Sequence, residues 1–424
     1  MKEGLPHPFS CAFGSKLGNK DGPVLVFDLD TTGHHTTYLR YLLQYWKAHS
    51  FKKLVLIVGH NFPVYDELEV SPPHIVIVRV APEQRQLPHF VKRMGRFPCA
   101  LWTCWLEWRL LNFYAKQWGA SHCMVMYMDL ILYGPLALHF PLHCEVSGIY
   151  FRPAFYYGPL GWTNNSRREQ IRSLRQRCLL GSALRHERLR TVFCLDPYAV
   201  GPINQLTPHQ KAVFLPDPVE STSSAGLKNA RRTLISVEAD RRVLLFFGYI
   251  TRRKGIGQLL SALKILPDDI ARRSCLLLAG KIDPAIENLV TAGLAELSAC
   301  SPLQVISHAS VVPEPQVMDY FFACDIVLCP YQHHVGMSGV LLRAAISRRP
   351  VIVSNYGLLG AFADQHKLGI AIDADSPIQI ANAISKLVRE TPMPMSDTAV
   401  RALEQQYSAS NFCKTILKHI TESH

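Results

Sequence analysis

The chain has 424 residues, of which 48% are hydrophobic and 18% are charged, a balance typical of globular rather than disordered proteins. This length predicts two domains of about 200 residues each. The formal net charge of +12 at pH 7 leaves three anionic partners open: a nucleotide diphosphate, nucleic acid or an acidic membrane surface. A basic surface that only improves solubility is the remaining interpretation.

Two further features bear on location and metal content. The first residues lack the apolar core of a signal peptide, and no apolar run approaches the ~18 residues of a membrane-spanning helix. The twelve cysteines form no CxxC pair, which indicates reduced, mostly buried thiols. Cys99 and Cys104 come closest to a metal pair, but no second pair matches them. We therefore expect a cytoplasmic protein without a metal site.

In chain order, the first half alternates short apolar runs with longer amphipathic segments. Residues 37–47 carry apolar side chains at helical spacing, and a long aromatic helix is predicted over residues 98–118. Buried strands are predicted at residues 23–28, 54–59, 75–78 and 123–129. Strand, loop, helix and strand in this order are typical of a parallel, doubly wound α/β sheet.

The second half repeats this rhythm more clearly. An Arg-rich helical segment over residues 164–190 and short strands at 191–196 and 212–218 lead to the polar segment 220–226, the best linker candidate. We therefore predict a first domain over residues 1–220 and a second over residues 221–424. Strands of the second domain are predicted at residues 243–248, 275–280, 304–307, 326–331 and 351–354.

The first candidate site is the basic turn, residues 248–256, between a predicted strand and a helix. A loop at the carboxyl end of a parallel strand opens into the crevice where ligands bind. Its three cations, Arg252, Arg253 and Lys254, would neutralise a diphosphate and the charge that builds on it as a leaving group. A solvated basic loop is the alternative interpretation.

The second candidate is the glycine loop, residues 332–339, which precedes another helix. Its small residues Gly336, Ser338 and Gly339 would let main-chain N–H groups and the helix N-terminus approach a phosphate. Ser338 can also donate its hydroxyl. Alternatively, Ser338 is an ordinary N-cap of the helix.

Taken in order, four segments of the second half resemble the family 4 (group 1) retaining glycosyltransferases of the GT-B fold. They are Gly248 with Lys254 and Gly255, Asp325 to Pro330, Gly336 to Gly339, and Pro350 to Ile352. The similarity spans residues 243–372. It implies two doubly wound Rossmann-like domains facing across a cleft, an acceptor-side domain and a donor-binding domain. The last helix of the second domain can pack back on the first.

The resemblance implies transfer of a sugar from a nucleotide diphosphate sugar, the donor substrate, to an unnamed acceptor, without a metal or another cofactor. Residues 308–312 would lie near the base, and the departing phosphate itself would take the acceptor proton. The expected donor-binding residues are Gly33, Gly248, Arg252, Arg253, Lys254, Ser338, Gly339, Val340 and Leu341.

Two features depart from the family pattern. Tyr249 stands where the family usually has an arginine, which Arg252 or Arg253 can replace from nearby. The family's two glutamates, with seven residues between them, would fall on Val335 and Arg343, and the second of them normally holds the ribose hydroxyls. Either the donor is held differently or the site is degenerate, so a non-catalytic nucleotide-sugar-binding relative remains an alternative.

In the first half, Gly33, His34 and His35 follow the first strand, where the family has a small-residue loop lining the cleft. One histidine can hydrogen-bond the donor phosphate or the acceptor, and a polar surface role is the alternative. Asp129, at the end of a predicted strand, can orient an acceptor hydroxyl or cap the next turn. The candidate catalytic residues are His34, His35, Asp129 and Lys254.

Other functions and partners stay open. The segment Asp28 to Thr32 matches the DxDxT signature of Mg²⁺-dependent phosphatases of the haloacid dehalogenase type, but no convincing acidic pair follows a later strand. The aromatic helix, with Trp102, Trp105, Trp108 and Trp118, is either interfacial or packed on its own sheet. The Arg-rich segment, over residues 167–190, is either a solvated face or a patch for peripheral contact with the inner face of an anionic membrane. No recognised nucleic-acid-binding module accompanies the charge, so we expect no nucleic-acid partner.

Overall fold

The computed structural model describes residues 21–30, 35–49, 52–63, 73–93, 95–158, 161, 166–219, 236–238, 240–390 and 396–421. Gly33, His34 and the predicted linker at residues 220–226 lie outside these residues. By internal packing the chain divides into unit 1, Met1–Gly148 with Ser182–Thr191, and unit 2, Ile149–Gly181 with Val192–His424. The domain boundary at residue 220 and the packing of the last helix stay predictions.

The first sheet has seven strands within the described residues: β1 (Val24–Asp28), β2 (Leu54–Gly59), β3 (Ile75–Val80), β4 (His122–Val125), β5 (Glu145–Tyr150), β6 (Leu189–Cys194) and β7 (Ala212–Phe214). Their order is β3-β2-β1-β4-β5-β6-β7. Strands β1 to β5 pair in parallel, as do β6 and β7. The accompanying helices are α1 (His35–His49), α2 (His89–Arg93), α3 (Arg96–Trp118), α4 (Asp129–Ile131), α5 (Arg167–Leu184) and α6 (Val200–Asn204).

The second sheet has six strands within the same described set: β8 (Arg242–Phe247), β9 (Ser274–Ala279), β10 (Gln304–His308), β11 (Ile326–Cys329), β12 (Val351–Ser354) and β13 (Gly369–Ile372). All neighbours pair in parallel, in the order β10-β9-β8-β11-β12-β13. Its helices are α7 (Ile256–Lys264), α8 (Asp268–Arg272), α9 (Glu287–Cys300), α10 (Glu314–Ala323), α11 (Gly339–Ile346), α12 (Leu358–Gln365), α13 (Pro377–Arg389), α14 (Asp397–Gln406) and α15 (Ala409–Thr421).

The apolar run of β8 explains why this strand is central. Val243 and Leu245 join the core cluster on one face of the second sheet, whereas Leu244 and Phe246 join the cluster on the other, because side chains alternate along a strand. A strand covered on both faces needs a continuous apolar sequence. The strand order reverses at β8, which lies between β9 and β11, and ligands of such sheets bind at this kind of position.

The predicted α/β class with parallel sheets is confirmed, but several predicted strand ends were wrong. The strands predicted over residues 212–218 and 326–331 end at Phe214 and Cys329. The strand predicted to run to Asp129 ends at Val125, and Asp129 instead is the buried first residue of α4. A carboxylate is favoured there, since the first turn of a helix carries partial positive charge. The interpretation of Asp129 as a strand-end residue is therefore corrected. In the described ranges, no helix combines the length and apolarity needed to cross a membrane.

Candidate functional site

The basic turn begins where β8 ends. Gly248 has a positive φ of 99°, and a Cβ atom there would lie 2.6 Å from the Nζ atom of Lys254. Glycine therefore allows Lys254 to fold back over the strand end, where its Nζ donates a hydrogen bond to the main-chain oxygen of Phe247 over 2.6 Å. The lysine closes the carboxyl end of β8.

Lys254 is an unusual cation because it is only 8% exposed. Burial lowers its pKa to about 8 and the charge of Arg253 acts in the same direction, against the opposing influence of Cys329. The ring centroid of Tyr331 lies 5.3 Å from Nζ. An incoming anion would therefore find a cation that lacks a carboxylate partner within the described residues.

The guanidinium of Arg253 faces the same aromatic ring as this lysine, because it lies 5.9 Å from the ring centroid of Tyr331. Arg253 donates a hydrogen bond to Nδ1 of His334 over 2.7 Å, and its main-chain oxygen accepts one from the amide of Gln332 over 2.8 Å. Arg252 is exposed to solvent. The basic turn is therefore tied to the glycine loop through Arg253.

The imidazole of His334 is neutral and holds the glycine loop through two hydrogen bonds. Its Nδ1 accepts from Arg253, and its Nε2–H donates to the main-chain oxygen of Met337 over 3.2 Å. Burial, reinforced by the charge of Arg253, lowers the pKa of His334 to about 4, so the ring stays neutral near pH 7. A neutral ring can accept one hydrogen bond and donate the other.

At the start of α11, Ser338 is the N-cap that the alternative interpretation predicted. Its Oγ accepts a hydrogen bond from the amide of Val340 over 3.2 Å. The side chains of Val340 and Leu341 are buried in the core, so only their main-chain groups can reach a ligand. The remaining amides of the first turn, which include that of Gly339, have no acceptor inside the helix.

Arg343 is the residue that the sequence resemblance places at the family's second glutamate. Its guanidinium covers the first turn of α11, because a Cβ atom on Gly339 would lie 2.9 Å from Nη1. Nη2 donates to Oε1 of Glu314, in α10, over 2.8 Å. A carboxylate is thus still present beside this helix terminus, contributed by a different helix.

In unit 1, His35 does not stand alone on the surface. Its Nδ1 lies 2.8 Å from both carboxylate oxygens of the buried Asp28, and its Nε2 lies 3.9 Å from Asp30. Burial alone would lower the pKa of His35, but the hydrogen bond and charge of Asp28 raise it above the ordinary value. His35 thus occupies the carboxylate of Asp28, which the phosphatase alternative needs as its nucleophile.

A cavity of about 280 Å³ opens in unit 1 at the carboxyl ends of β1, β2 and β3. Its lining residues are Leu29, His60, Pro82, Arg85, Leu87, Thr103, Leu106, Glu107 and Leu110. Arg85 is fixed by donating to the main-chain oxygen of Leu29 over 2.6 Å. Burial raises the pKa of Glu107 to about 7, although the charge of Arg85 opposes this shift.

Sequence reasoning missed this cavity. Neither Arg85 nor Glu107 belongs to a motif, and they come together only through the packing of α3. One signal was present, since Glu107 is the only acidic residue in the sequence of α3. In the described part of the chain, no group of His, Cys, Asp or Glu side chains has the arrangement of a metal site.

Residues 241–390 match the family model described as "Glycosyl transferases group 1". The chain is 29% identical over 163 residues to a D-inositol 3-phosphate glycosyltransferase of Paenarthrobacter aurescens, covering 37% of this chain and 38% of that protein. It is 25% identical over 191 residues to the putative teichuronic acid biosynthesis glycosyltransferase TuaC of Bacillus subtilis, covering 45% and 44%. The chain thus matches less than half the length of these curated relatives.

Solved structures resemble a larger part of the chain. Sucrose-phosphate synthase of Thermosynechococcus elongatus has a TM-score of 0.66 at 17% identity, covering 94% of this chain and 98% of that one. WaaG, a glycosyltransferase involved in lipopolysaccharide biosynthesis, has a TM-score of 0.63 at 12% identity, covering 94% and 100%. Anabaena Alr3699/HepE, solved in complex with UDP-glucose, has a TM-score of 0.63 at 14% identity, covering 94% and 98%. The fold is GT-B, as the resemblance implied.

Proposed function

We propose that the protein is a retaining glycosyltransferase that uses a nucleotide diphosphate sugar, because residues 241–390 match the model of the group 1 glycosyl transferases. The observation that carries the proposal is the buried Lys254, held at the end of β8 in a turn joined to the glycine loop. The structural relative HepE is described in complex with UDP and with UDP-glucose, which makes uridine nucleotides the first donors to test.

The donor pyrophosphate would draw the ammonium of Lys254 away from the oxygen of Phe247 and would accept hydrogen bonds from the first amides of α11. Charge grows on this pyrophosphate as the sugar departs, so cations and amides fixed beforehand stabilise the transition state more than the ground state. The departing phosphate takes the proton of the acceptor hydroxyl on the same face of the sugar, which retains its configuration. This scheme requires neither a metal nor a strong protein base.

We also propose that Glu314 replaces the missing ribose-binding glutamate. Arg343 holds its carboxylate over 2.8 Å, and the other oxygen can accept hydrogen bonds from two neighbouring hydroxyls. If this replacement fails, a non-catalytic relative that binds the nucleotide through its phosphates alone becomes the better description. The two alternatives differ in one measurement, since only the enzyme releases sugar or transfers it.

On the acceptor side, we propose that the cavity of unit 1 binds a single hydroxylated ring. Its volume lies just below the usual range for ligand pockets, about 300–1,000 Å³, which suits a small ligand. Leucine side chains offer an apolar floor, the guanidinium of Arg85 donates hydrogen bonds, and the carboxyl of Glu107 accepts or donates them according to pH. Peripheral contact with an anionic membrane also remains part of the proposal.

Donor binding is tested by thermal shift with UDP, GDP and ADP and their glucose adducts, followed by product mass spectrometry with the tightest donor. We expect Lys254→Met to abolish stabilisation by the nucleotide. Lys264→Met is the matched control, because Lys264 is a surface lysine of α7 paired with Glu296. Equal stabilisation of both variants would remove Lys254 from the site, and binding without release or transfer of sugar would favour the non-catalytic relative.

Acceptor binding is tested separately by saturation-transfer NMR with methyl α-glucoside, methyl α-mannoside and myo-inositol. We expect Leu106→Trp, which fills the cavity, and Glu107→Leu to remove the signal while UDP still stabilises both variants. An unchanged signal would place the acceptor elsewhere without affecting the proposal for the donor.

A further inference from the structure

The first three turns of α5 expose large apolar side chains. Ile171 is 69% exposed and Leu174 is 64% exposed, and Cys178 is exposed as well. Their spacing of three and four residues places them on one face of the helix. Such a stripe normally faces the core of a protein, because burial of aliphatic side chains is favourable. Here it faces solvent.

The opposite face of α5 is packed against the protein. Leu180 is fully buried, and Glu169, Ser173 and Gln176 are half-buried. Glu169 accepts a hydrogen bond from the hydroxyl of Tyr356 over 3.1 Å. The apolar stripe therefore lies on the side of the helix that points away from these contacts.

The apolar stripe is surrounded by positive charge. Five exposed arginines belong to the same turns of α5, namely Arg167, Arg168, Arg172, Arg175 and Arg177. Glu169 is the only acidic residue in the helix, and it is engaged by Tyr356. An anionic surface would meet cations on both flanks of an apolar strip, which is the arrangement of helices that lie in a membrane interface.

We propose that this surface, which we call the α5 face (Ile171, Leu174 and Cys178 with the five arginines), docks on an anionic lipid membrane. The aliphatic side chains enter the boundary between headgroups and acyl chains, and the arginines contact lipid phosphates. Nucleic acid would satisfy the arginines but leave the aliphatic strip in water. A membrane satisfies both.

The aromatic helix α3 is a weaker candidate for this role. Trp108 is buried, and Trp102, Trp105 and Trp118 are half-buried. The guanidinium of Arg109 lies 4.7 Å from the ring centroid of Trp105, so part of the local charge is already directed at the helix itself. These tryptophans pack mainly within the protein.

Two cysteines allow a direct test of docking. Cys178 lies within the α5 face and Cys300 at the end of α9, and both are exposed. In proteins carrying Cys11→Ser, an environment-sensitive fluorophore is attached to Cys178 in the presence of Cys300→Ser, or to Cys300 in the presence of Cys178→Ser. With vesicles of phosphatidylcholine and phosphatidylglycerol, we expect a blue shift from the label on Cys178 only. High salt should reverse it.

Flotation of the unlabelled full chain with the same vesicles measures affinity. We expect Ile171→Asp with Leu174→Asp to weaken binding at least about tenfold, whereas the matched control Ile378→Asp binds like the unchanged protein. Ile378 is also a helical isoleucine and is 63% exposed. Circular dichroism and thermal melting show that each variant folds.

Several outcomes would overturn the proposal. These are the absence of flotation with anionic vesicles, equal flotation with pure phosphatidylcholine, and equal blue shifts from Cys178 and Cys300. Capture of RNA or an acidic protein through the α5 face, without vesicle binding, would assign the face to another partner. None of these results depends on sugar transfer, so the proposed enzymatic function is tested independently.

Discussion

The ammonium of Lys254 and the main-chain oxygen of Phe247 are joined by a hydrogen bond of 2.6 Å. This bond places a cation over the last residue of the central strand of the second sheet. Within the described residues, this carbonyl is the hydrogen-bond acceptor of the lysine, whose side chain is largely shielded from water. The protonation state of Lys254 therefore changes within the pH range of ordinary binding experiments.

The affinity for UDP should fall as pH rises above about 8. Burial lowers the pKa of Lys254 to about 8, and only the charged lysine attracts a pyrophosphate. We expect the Kd of UDP to increase about tenfold between roughly pH 7 and pH 9, measured by calorimetry. Lys254→Met should bind weakly with little dependence on pH, and an equal slope in this variant would assign the titration to another group.

Without UDP, the contribution of Lys254 to the free energy of unfolding should instead increase with pH. The unfolded lysine, with a pKa of 10.5, binds more protons than the folded one between about pH 8 and 10.5. The contribution of Lys254 to the free energy of unfolding therefore rises with pH across this window. Comparison with Lys254→Met by chemical denaturation isolates this contribution.

Gly255→Ala should destabilise the second unit by more than about 2 kcal/mol. Gly255 has a φ of 80°, and a Cβ atom there would lie 2.0 Å from the main-chain oxygen of Pro330. Gly257→Ala is the control two residues further on, because a Cβ atom there meets nothing within 4 Å. That change should stabilise α7 by up to about 1 kcal/mol. Similar melting temperatures for the two variants would contradict this account of the turn.

Ser338→Ala and Ser376→Ala should lower the free energy of unfolding by similar amounts but should affect UDP binding differently. Each serine caps a helix, Ser338 by accepting from the amide of Val340 and Ser376 from that of Gln379, so each change should cost about 1 kcal/mol. Only Ser338→Ala loosens amides proposed to hold the pyrophosphate. Calorimetry should therefore show weaker UDP binding for this variant alone. Weaker UDP binding in both variants, or in neither, would show that the N-terminus of α11 does not bind the donor.

His35→Ala should destabilise unit 1 by about 2 kcal/mol. The change leaves the buried carboxylate of Asp28 without the imidazole that lies 2.8 Å from both its oxygens. Because Asp28 raises the pKa of His35, the stabilisation declines as pH rises from about 6.5 through the folded pKa of His35. It also requires an ionised Asp28, whose pKa is raised by burial, so it is lost again in acid. The difference in free energy of unfolding between the unchanged protein and His35→Ala should therefore decrease as pH rises.

His49→Ala, at the exposed end of the same helix, is the control for His35→Ala and should change stability by less than about 0.5 kcal/mol. Hydrogen exchange of β1 amides provides a local measurement. Unchanged protection in His35→Ala, or protection lost equally in the control, would show that the Asp28 pair does not hold this end of the sheet.

The strands and helices of the second sheet were the most predictable features. The continuous apolar run of β8 indicates burial on both faces, and the core clusters confirm this. Helix α11 and its cap at Ser338 follow from local sequence. Both depend on periodicity and on neighbours close in the chain, which a sequence displays directly.

The contacts between side chains were less predictable. The sequence groups Arg252, Arg253 and Lys254 as three similar cations, but the fold buries Lys254, joins Arg253 to His334 and leaves Arg252 exposed. The approach of Glu314 to Arg343, 29 residues away in the chain, also depends on helix packing. Whether any of these residues binds donor stays a prediction.

Arg253 couples the basic turn to the glycine loop. Main-chain and side-chain hydrogen bonds connect Arg253 with Gln332 and His334, so ordering either segment restrains the other. A pyrophosphate that immobilises one would reduce the entropy lost in immobilising its neighbour, which makes the two sets of contacts cooperative. Paired substitutions across this link should then cost less binding free energy than the sum of the single changes.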